Sequence, residues 1–487
     1  MKDHILAALQ LDKPFILTKT HIWTYQDCKR NVIKLNKFLE RNQYSKILIC
    51  LDQEFYAYCC IIGVYISEAT FCCINPIDPI DRKLFLIESF QPDVIICNDD
   101  DMLANYDICI QKISPERLFE CDEDILDREY DFVSLGSNIA YVLFTSGTTG
   151  RPKGAKIFRE SLNTLILWAG KEFSIAEKDI CAQFSNLNFD MSIFDIFLCI
   201  TNGASLVPFP SLSDKLFPGK LIKLFKVTFW NSVPTVIDIL EKANQLNYAT
   251  LHSLKTMKFG GDRVFPTQLE KLFNILANLR IIITYGPTET TIFCTYSDLY
   301  KSNYLDFAET NMALGKPIPG TLINLTNKDD EGIGEIVICG DCVGDGYISS
   351  EHNQQNFITI TIDDHSERAY LTGDYGKYKG DVLYFYGRKD SQIKIKGNRV
   401  DLSEVDYHAR QLGCNSTVTI YYRDLIVLFY ESSKYNNQEV KEYLKSKLSV
   451  HLMPALVLQL DGIPKMTNGK YNHVELMKKI DELLERK

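Results

Sequence analysis

The chain has 487 residues, 46% of them apolar and 24% charged, and a formal net charge of −10 at pH 7. That length exceeds what one hydrophobic core supports, so two or more domains are expected, and the composition excludes a disordered chain. An acidic balance with no run of Lys and Arg excludes binding along a phosphate backbone, so nucleic acid is not an expected partner.

The start, MKDHILAALQLDKPF, is too short in its apolar stretch and too quickly charged for a signal peptide. No apolar run approaches the length of a membrane span. A cytoplasmic chain with no membrane association is therefore expected. Of the fifteen cysteines, Cys59-Cys60 and Cys72-Cys73 stand in apolar segments and read as reduced core residues. Cys339 and Cys342 make one C-x-x-C, but no second Cys or His pair stands near it to complete a zinc site.

In chain order, an amphipathic helix is predicted over 31–40 (NVIKLNKFLE). Buried strands are predicted at 46–51 (KILICL), 93–97 (DVIIC), 139–145 (IAYVLFT) and 204–209 (ASLVPF). A helix over 265–278 precedes another strand at 279–286 (LRIIITYG). Such alternation implies an α/β architecture with largely buried strands. From about residue 334 the texture changes to Gly-punctuated strands: GEIVICG, YLTGDYGKY and DVLYFYGRKD. A smaller unit follows, with QIKIKG, a helix in LSEVDYHARQLG, strands in STVTIYY and LIVLFYES, and a closing helix. The pattern alone places a boundary near 388–391.

The most informative segment is YVLFTSGTTGRPKGAKI, where a buried strand runs into Thr145-Ser146-Gly147-Thr148-Thr149-Gly150-Arg151-Pro152-Lys153. Hydroxyls, side-chain-free backbone N–H groups and one ammonium are what a polyphosphate requires. A P-loop needs Gly before its Lys and Ser or Thr after it, whereas here those places hold Pro152 and Gly154. A protein kinase is excluded too: Asp374-Tyr375-Gly376 echoes D-F-G, but no H-R-D loop precedes it. Around this segment stand WTYQDC (23–28), INPIDPIDR (74–82), NFDMSIFDIF (188–197) and TYGPTETT (284–291). After them come GEIVICGDCVGDGY (334–347), YLTGDYG (370–376), GRKDSQIKIKGNRVDLSEVD (387–406) and PKMTNGK (464–470).

With these strings in this order, the sequence resembles the acyl-adenylate-forming superfamily. Within it, the chain is most similar to amino-acid adenylation domains of nonribosomal peptide synthetases and D-alanine–carrier protein ligases. The resemblance spans nearly the whole chain. It implies a large N-terminal domain over 1–389, made of layered α/β subdomains and a β-rich subdomain. A small, mobile α+β C-terminal domain over 390–487 would carry the catalytic lysine, and Asp390 would be the hinge.

The resemblance also implies roles. Thr145, Ser146, Gly147, Thr148, Thr149 and Lys153 would close on the β- and γ-phosphates of ATP, with Thr145 counted among the catalytic groups. Tyr285 would stack on adenine and Glu289 would hold Mg2+. Asp374 would accept from both ribose hydroxyls, assisted by Arg388. Lys470 would neutralise charge on the carboxylate and α-phosphate oxygens as pyrophosphate leaves. One departure stands out: Ile283 occupies a position where the family usually has an adenine-contacting Asn, so that contact falls to backbone. No general base is needed, because the substrate carboxylate is already ionised and attacks the α-phosphorus in line.

Asp190 discriminates among substrates. In amino-acid adenylation domains the Asp of F-D-x-S pairs with the substrate α-ammonium, and relatives acting on fatty or aryl acids have no use for a carboxylate there. By carry-over the remaining pocket positions are Met191, Phe194, Asn231, Lys258, Gly260, Thr284, Ile292 and Phe293. The bulk of Met191, Phe194 and Phe293 favours a short side chain, such as that of Ala, Gly, Ser, Thr or Cys. Lys258 does not fit an apolar substrate. Strand alternation puts it on the same face as Gly260. Its ammonium would then escape to solvent, pair with a protein carboxylate, or bind an acceptor on the substrate.

No carrier-protein motif follows Lys470, and the LGCNS string (412–416) falls inside the pattern of the small domain. The expected activity is therefore activation of a small amino acid as aminoacyl-AMP, then transfer to the phosphopantetheine thiol of a separate carrier protein. The alternatives are an acyl- or aryl-CoA ligase and a catalytically silent nucleotide-binding homologue.

Overall fold

The computed structural model describes residues 1–101, 103–104, 106–120, 130–145, 151–349, 356–362, 365–388, 392–395, 398–464 and 471–485. The chain divides into two compact units. One comprises Met1–Pro76, Ile87–Phe144 and Lys153–Lys389; the other comprises Ile77–Leu86, Thr145–Pro152 and Asp390–Lys487.

The larger unit is built on three sheets. A six-stranded sheet runs Gln111–Ile113, Val94–Cys97, Lys46–Cys50, Thr70–Cys73, Ile139–Thr145, Lys153–Phe158 in spatial order. Its central pairings are parallel, and the ILIC, TFCC and VIIC runs are wholly buried. Continuous apolar runs are what a sheet covered on both faces requires. The helix Tyr25–Asn42 begins with a reciprocal cap between Thr24 and Asp27 and buries one face through Val32, Leu35 and Leu39. The neighbouring helix Phe55–Ile66 is buried throughout. Gly63 lets the two approach, since a Cβ there would stand 2.7 Å from Leu35 Cδ2.

A nine-stranded sheet orders its strands Lys316–Pro317, Thr295–Leu299, Arg280–Tyr285, Thr256–Phe259, Phe229–Ser232, Ile180–Gln183, Ser205–Pro208, Pro14–Leu17, Ile22–Thr24. The run from Arg280–Tyr285 to Pro14–Leu17 is parallel, and the outer strands are antiparallel. One core joins its inner face to the six-stranded sheet through the helix Asp190–Thr201, which is buried from Met191 onward. A second core covers the outer face with Leu221, Ile237, Leu240, Leu269 and Phe273. The third sheet is antiparallel, with the long strand His365–Lys379 flanked by Gly334–Gly340, Phe357–Ile362 and Val382–Arg388. This is the β-rich texture expected from residue 334 onward.

The smaller unit has a hairpin of Gln392–Ile395 with Asn398–Asp401 and a three-stranded sheet. The expected strands appear as Ser416–Tyr422 and Leu425–Glu431, and the closing helix as His473–Glu485. The structure adds a helix, Asn437–Lys447, capped reciprocally by Asn436 and Glu439, and a third strand, Leu456–Gln459. The fold class is thus as expected: layered α/β, a β-rich sheet, and a small α+β unit. Within the smaller unit, Arg82 stands 2.5 Å from the fully buried Glu404 and 3.6 Å from Asp78. No described helix is long and apolar enough to cross a membrane.

Gly315 ties a crossing between sheets. It has φ +96°, and an added Cβ would lie 2.0 Å from the Tyr296 carbonyl oxygen. Gly315→Ala should therefore destabilise the larger unit by roughly 2–4 kcal/mol, read from the shift of its urea midpoint. A loss below about 0.5 kcal/mol would show that the backbone yields there.

Candidate functional site

Three parallel strands of the nine-stranded sheet, Phe229–Ser232, Thr256–Phe259 and Arg280–Tyr285, present their carboxyl ends on one edge. Open α/β sheets bind ligands at such ends. Register pairs Asn231 with Lys258 and Lys258 with Ile282, so Asn231 and Lys258 project from the same face. Their side chains meet: the Lys258 ammonium donates to Asn231 Oδ1 at 3.1 Å. Gly260 lies two residues on, and a Cβ there would meet Thr284 Oγ1 at 2.8 Å and Lys258 Nζ at 3.7 Å. Lys258 and Gly260 thus stand on one face of this strand, as alternation requires.

The helix Asp190–Thr201 supplies the facing wall. Residues 190, 191, 194 and 195 lie on one side of a helix. Met191 and Phe194 are buried, as are Ile292 and Phe293 from the segment after the Arg280–Tyr285 strand. The Phe194 and Phe293 rings meet edge to face at 5.3 Å, and the Lys258 ammonium sits 4.8 and 4.6 Å from their centroids. The structure thus brings together Asp190, Met191, Phe194, Asn231, Lys258, Gly260, Thr284, Ile292 and Phe293. Lys258 is 1% exposed, and among the described residues its ammonium forms no salt bridge.

One member of this cluster was not anticipated. Asp195 is buried, and its Oδ1 accepts from Asn231 Nδ2 at 2.7 Å, while Oδ2 has no partner among the described residues. A lysine can only donate, so it fixes which way the Asn231 amide points: oxygen to Lys258, nitrogen to Asp195 and, at 3.4 Å, to the Met191 carbonyl. The signal was present in the sequence as a lone acid in the apolar run Ile193–Ile200.

Burial decides the electrostatics. It pushes Asp195 well above the usual carboxylate range, against the opposing pull of the Asn231 hydrogen bond and Lys258. It lowers Lys258 to about 8, with Asp195 and then Asp190 holding it up. Asp190 opens its helix and is only partly covered, yet desolvation still raises its carboxyl. The Thr288 hydroxyl, donating to Asp190 Oδ2 at 2.7 Å, and then Lys258 oppose that rise. Thr288 is a second unanticipated contact.

A second cluster lies around the third sheet. The Tyr285 hydroxyl donates to Asp374 Oδ2 at 2.6 Å, and Arg388 is bonded to Asp374 Oδ1. The Thr372 hydroxyl accepts from the Asp374 backbone N–H at 3.0 Å. Tyr285 and Asp374 are buried. Glu289, in the short turn Thr288–Thr290, is 1% exposed and accepts from the Tyr347 hydroxyl at 2.7 Å. The ammonium of Lys153, first residue of the strand Lys153–Phe158, stands 5.5 Å from the Tyr347 ring centre. Tyr347 is a third unanticipated member, although it closes the GEIVICGDCVGDGY string. Thr145 ends the strand Ile139–Thr145. Ser146, Gly147, Thr148, Thr149, Asp390 and Lys470 lie outside the described residues.

The buried carboxylate of Glu289 fits a hard divalent cation, which takes oxygen ligands. The Asp374–Arg388 pair fits a ribose diol, because a carboxylate oxygen already bonded once keeps acceptor capacity for a hydroxyl.

The Lys258 assignment can be read directly. In protein carrying 13C-labelled lysine, the resonances of Lys258 and Lys215 should both titrate near pH 8 rather than 10.5, and the one missing from Lys258→Met belongs to Lys258. The sign follows from linkage: the unfolded chain binds more protons between those values, so the cost of burying Lys258 falls as pH rises through that window. A single cluster of lysine midpoints near 10.5 would contradict it.

Comparison with known proteins bears on the same residues. Residues 6–348 match the AMP-binding enzyme family. Bacitracin synthase 1 of Bacillus licheniformis is 28% identical over 445 residues, covering 88% of this chain but 8% of that protein, so the chain spans a small part of this relative. The D-alanine–D-alanyl carrier protein ligase of Bacillus licheniformis is 26% identical over 431 residues, 83% of this chain and 84% of that one. Among solved structures, the Vibrio cholerae adenylation domain AlmE, in complex with glycyl-adenosine-5'-phosphate, superposes with a TM-score of 0.85 at 22% identity. That likeness covers 99% of this chain and 97% of the other, and it concerns the fold. The chain belongs to the AMP-binding enzyme family, the acyl-adenylate-forming ligases that its motifs resemble.

Proposed function

We propose that this chain uses ATP to activate a small amino acid as its aminoacyl-AMP and then passes the acyl group to the phosphopantetheine thiol of a separate carrier protein. The observation that carries the amino-acid part is Asp190. Among the described residues its carboxylate has one side-chain hydrogen bond, from the neutral Thr288, and no salt bridge. A desolvated carboxylate without a bonded cation is costly, and a substrate α-ammonium relieves that cost. The similarity to a D-alanine–carrier ligase along nearly the whole of both chains supports the carrier step.

In this reading the amino-acid carboxylate attacks the α-phosphorus. A carboxylate O–P bond forms, the bond to the β-phosphate bridge oxygen breaks, and pyrophosphate leaves. Asp190 fixes the amino group while Phe194, Phe293 and Met191 limit the side chain, which places the carboxylate for in-line attack. Thr145, Ser146, Gly147, Thr148, Thr149 and Lys153 hold the departing phosphates. Tyr285 lies against adenine, and Asp374 with Arg388 takes the ribose. Glu289 would hold Mg2+, which supplies charge neutralisation between the phosphate oxygens when bound. Lys470 stabilises charge growing at the α-phosphate.

The carrier thiolate then attacks the acyl carbonyl and AMP leaves, the thiol proton having passed to solvent. The domain division at 389/390, with Asp390 as hinge, separates the two half-reactions by presenting Lys470 in the first and withdrawing it in the second.

ATP–pyrophosphate exchange against amino acids, fatty acids and aryl acids tests the reading. Exchange confined to amino acids is expected; exchange with only the other acids would make the chain an acyl- or aryl-CoA ligase. Asp190→Asn should raise the barrier for the best amino acid by roughly 3–5 kcal/mol, read as kcat/KM. Undiminished exchange by that variant would end the α-ammonium assignment. Lys470→Ala should abolish acyl-AMP formation while largely sparing thioester formation from supplied acyl-AMP. Equal loss of both steps would contradict the division of labour.

A further inference from the structure

The amino-acid reading leaves Lys258 without an evident task, and the surroundings of its ammonium define one. Three donors sit on that nitrogen, and among the described residues one of them is satisfied, through Asn231. Its remaining near neighbours are the faces of Phe194 and Phe293. A surface lysine would send its head to water, but this one is covered.

The residue is also held rather than stranded. Asn231 cannot rotate without breaking its bond to Asp195, and Asp195 is locked in a helix buried on every side. Asp195 does not form an ion pair with Lys258, because the Asn231 amide stands between them. Its second oxygen is buried without a partner among the described residues, and burial favours the protonated acid. The other candidate for a counter-charge, Asp190, is claimed in the amino-acid reading by the substrate α-ammonium. Gly260 keeps one approach to the ammonium clear, since a Cβ there would stand 3.7 Å from Nζ.

With the α-ammonium on Asp190, the pocket therefore holds one cation too many. A methyl group against Lys258 would leave that charge with one neutral amide and two aromatic rings, and a neutral acceptor would supply a bond but no charge. A carboxylate supplies both.

Resting on the amino-acid reading, we propose that Lys258 binds the substrate side chain and that the preferred substrate is an amino acid whose short side chain ends in a carboxylate, as in aspartate. Asn231 and Asp195 are positioning residues that aim the ammonium.

The test is ATP–pyrophosphate exchange by the full chain with Gly, Ala, Ser, Cys, Asn, Asp and Glu. Wild type should favour Asp over each neutral amino acid by at least ~10-fold in kcat/KM. Lys258→Met should lower the Asp value by roughly 10²-fold or more and the ratio of Asp to Ala by at least ~10-fold. Asn231→Leu should raise KM for Asp more than it lowers kcat. Lys258→Gln serves if the Met variant does not fold, with the same selective loss expected. A neutral amino acid leading in wild type, or either Lys258 variant keeping the wild-type profile, overturns the proposal and leaves amino-acid activation standing. Exchange with no amino acid at all overturns both.

Discussion

A charge removed from water must be answered by something within a few ångströms, and the strand ends of the nine-stranded sheet confront that requirement. Lys258, Asp195 and Asp190 lie within one small region, with Phe194 and Phe293 against the ammonium. Register sets the arrangement. The parallel pairing of Asn231 with Lys258 puts an amide beside an ammonium, and the helix beginning at Asp190 brings Asp195 to the amide's other end. The rest of the fold serves to keep that arrangement rigid: apolar strands covered on both faces, and a helix buried between two sheets.

The second cluster obeys the same rule with different chemistry. Asp374 is held between the Tyr285 hydroxyl and the Arg388 guanidinium, and Glu289 accepts from Tyr347. Each carboxylate is nearly sealed from solvent, and carboxylate oxygens are what hydroxyls or a hard cation require. Gly286 links the two regions: a Cβ there would come within 2.5 Å of Phe293 Cα, so the strand end bearing Tyr285 and the segment bearing Phe293 can only pack this closely around glycine.

Much of this was legible in the sequence because local pattern carried it. The strands, the amphipathic helix of Tyr25–Asn42 and the change of texture after residue 334 follow from periodicity and glycine spacing. The direction of Lys258 followed from the period of two in a strand. Contacts between distant segments were not legible. Tyr285 and Asp374 are 89 residues apart, and nothing local announces that one will donate to the other. Asp195 stands inside the NFDMSIFDIF string without a role of its own, although one acid in such an apolar run is the mark of a buried polar partner. The strand Leu456–Gln459 is too short to display an alternation, and it becomes a strand through parallel pairing with Leu425–Glu431.

The most direct test is to offer the protein ATP with an equimolar mixture of the twenty amino acids plus common fatty and aryl acids, and to identify by mass spectrometry which acyl-adenylates form in a single turnover. The account predicts an adenylate that carries a free α-amino group. Adenylates formed only from acids that lack one would contradict it.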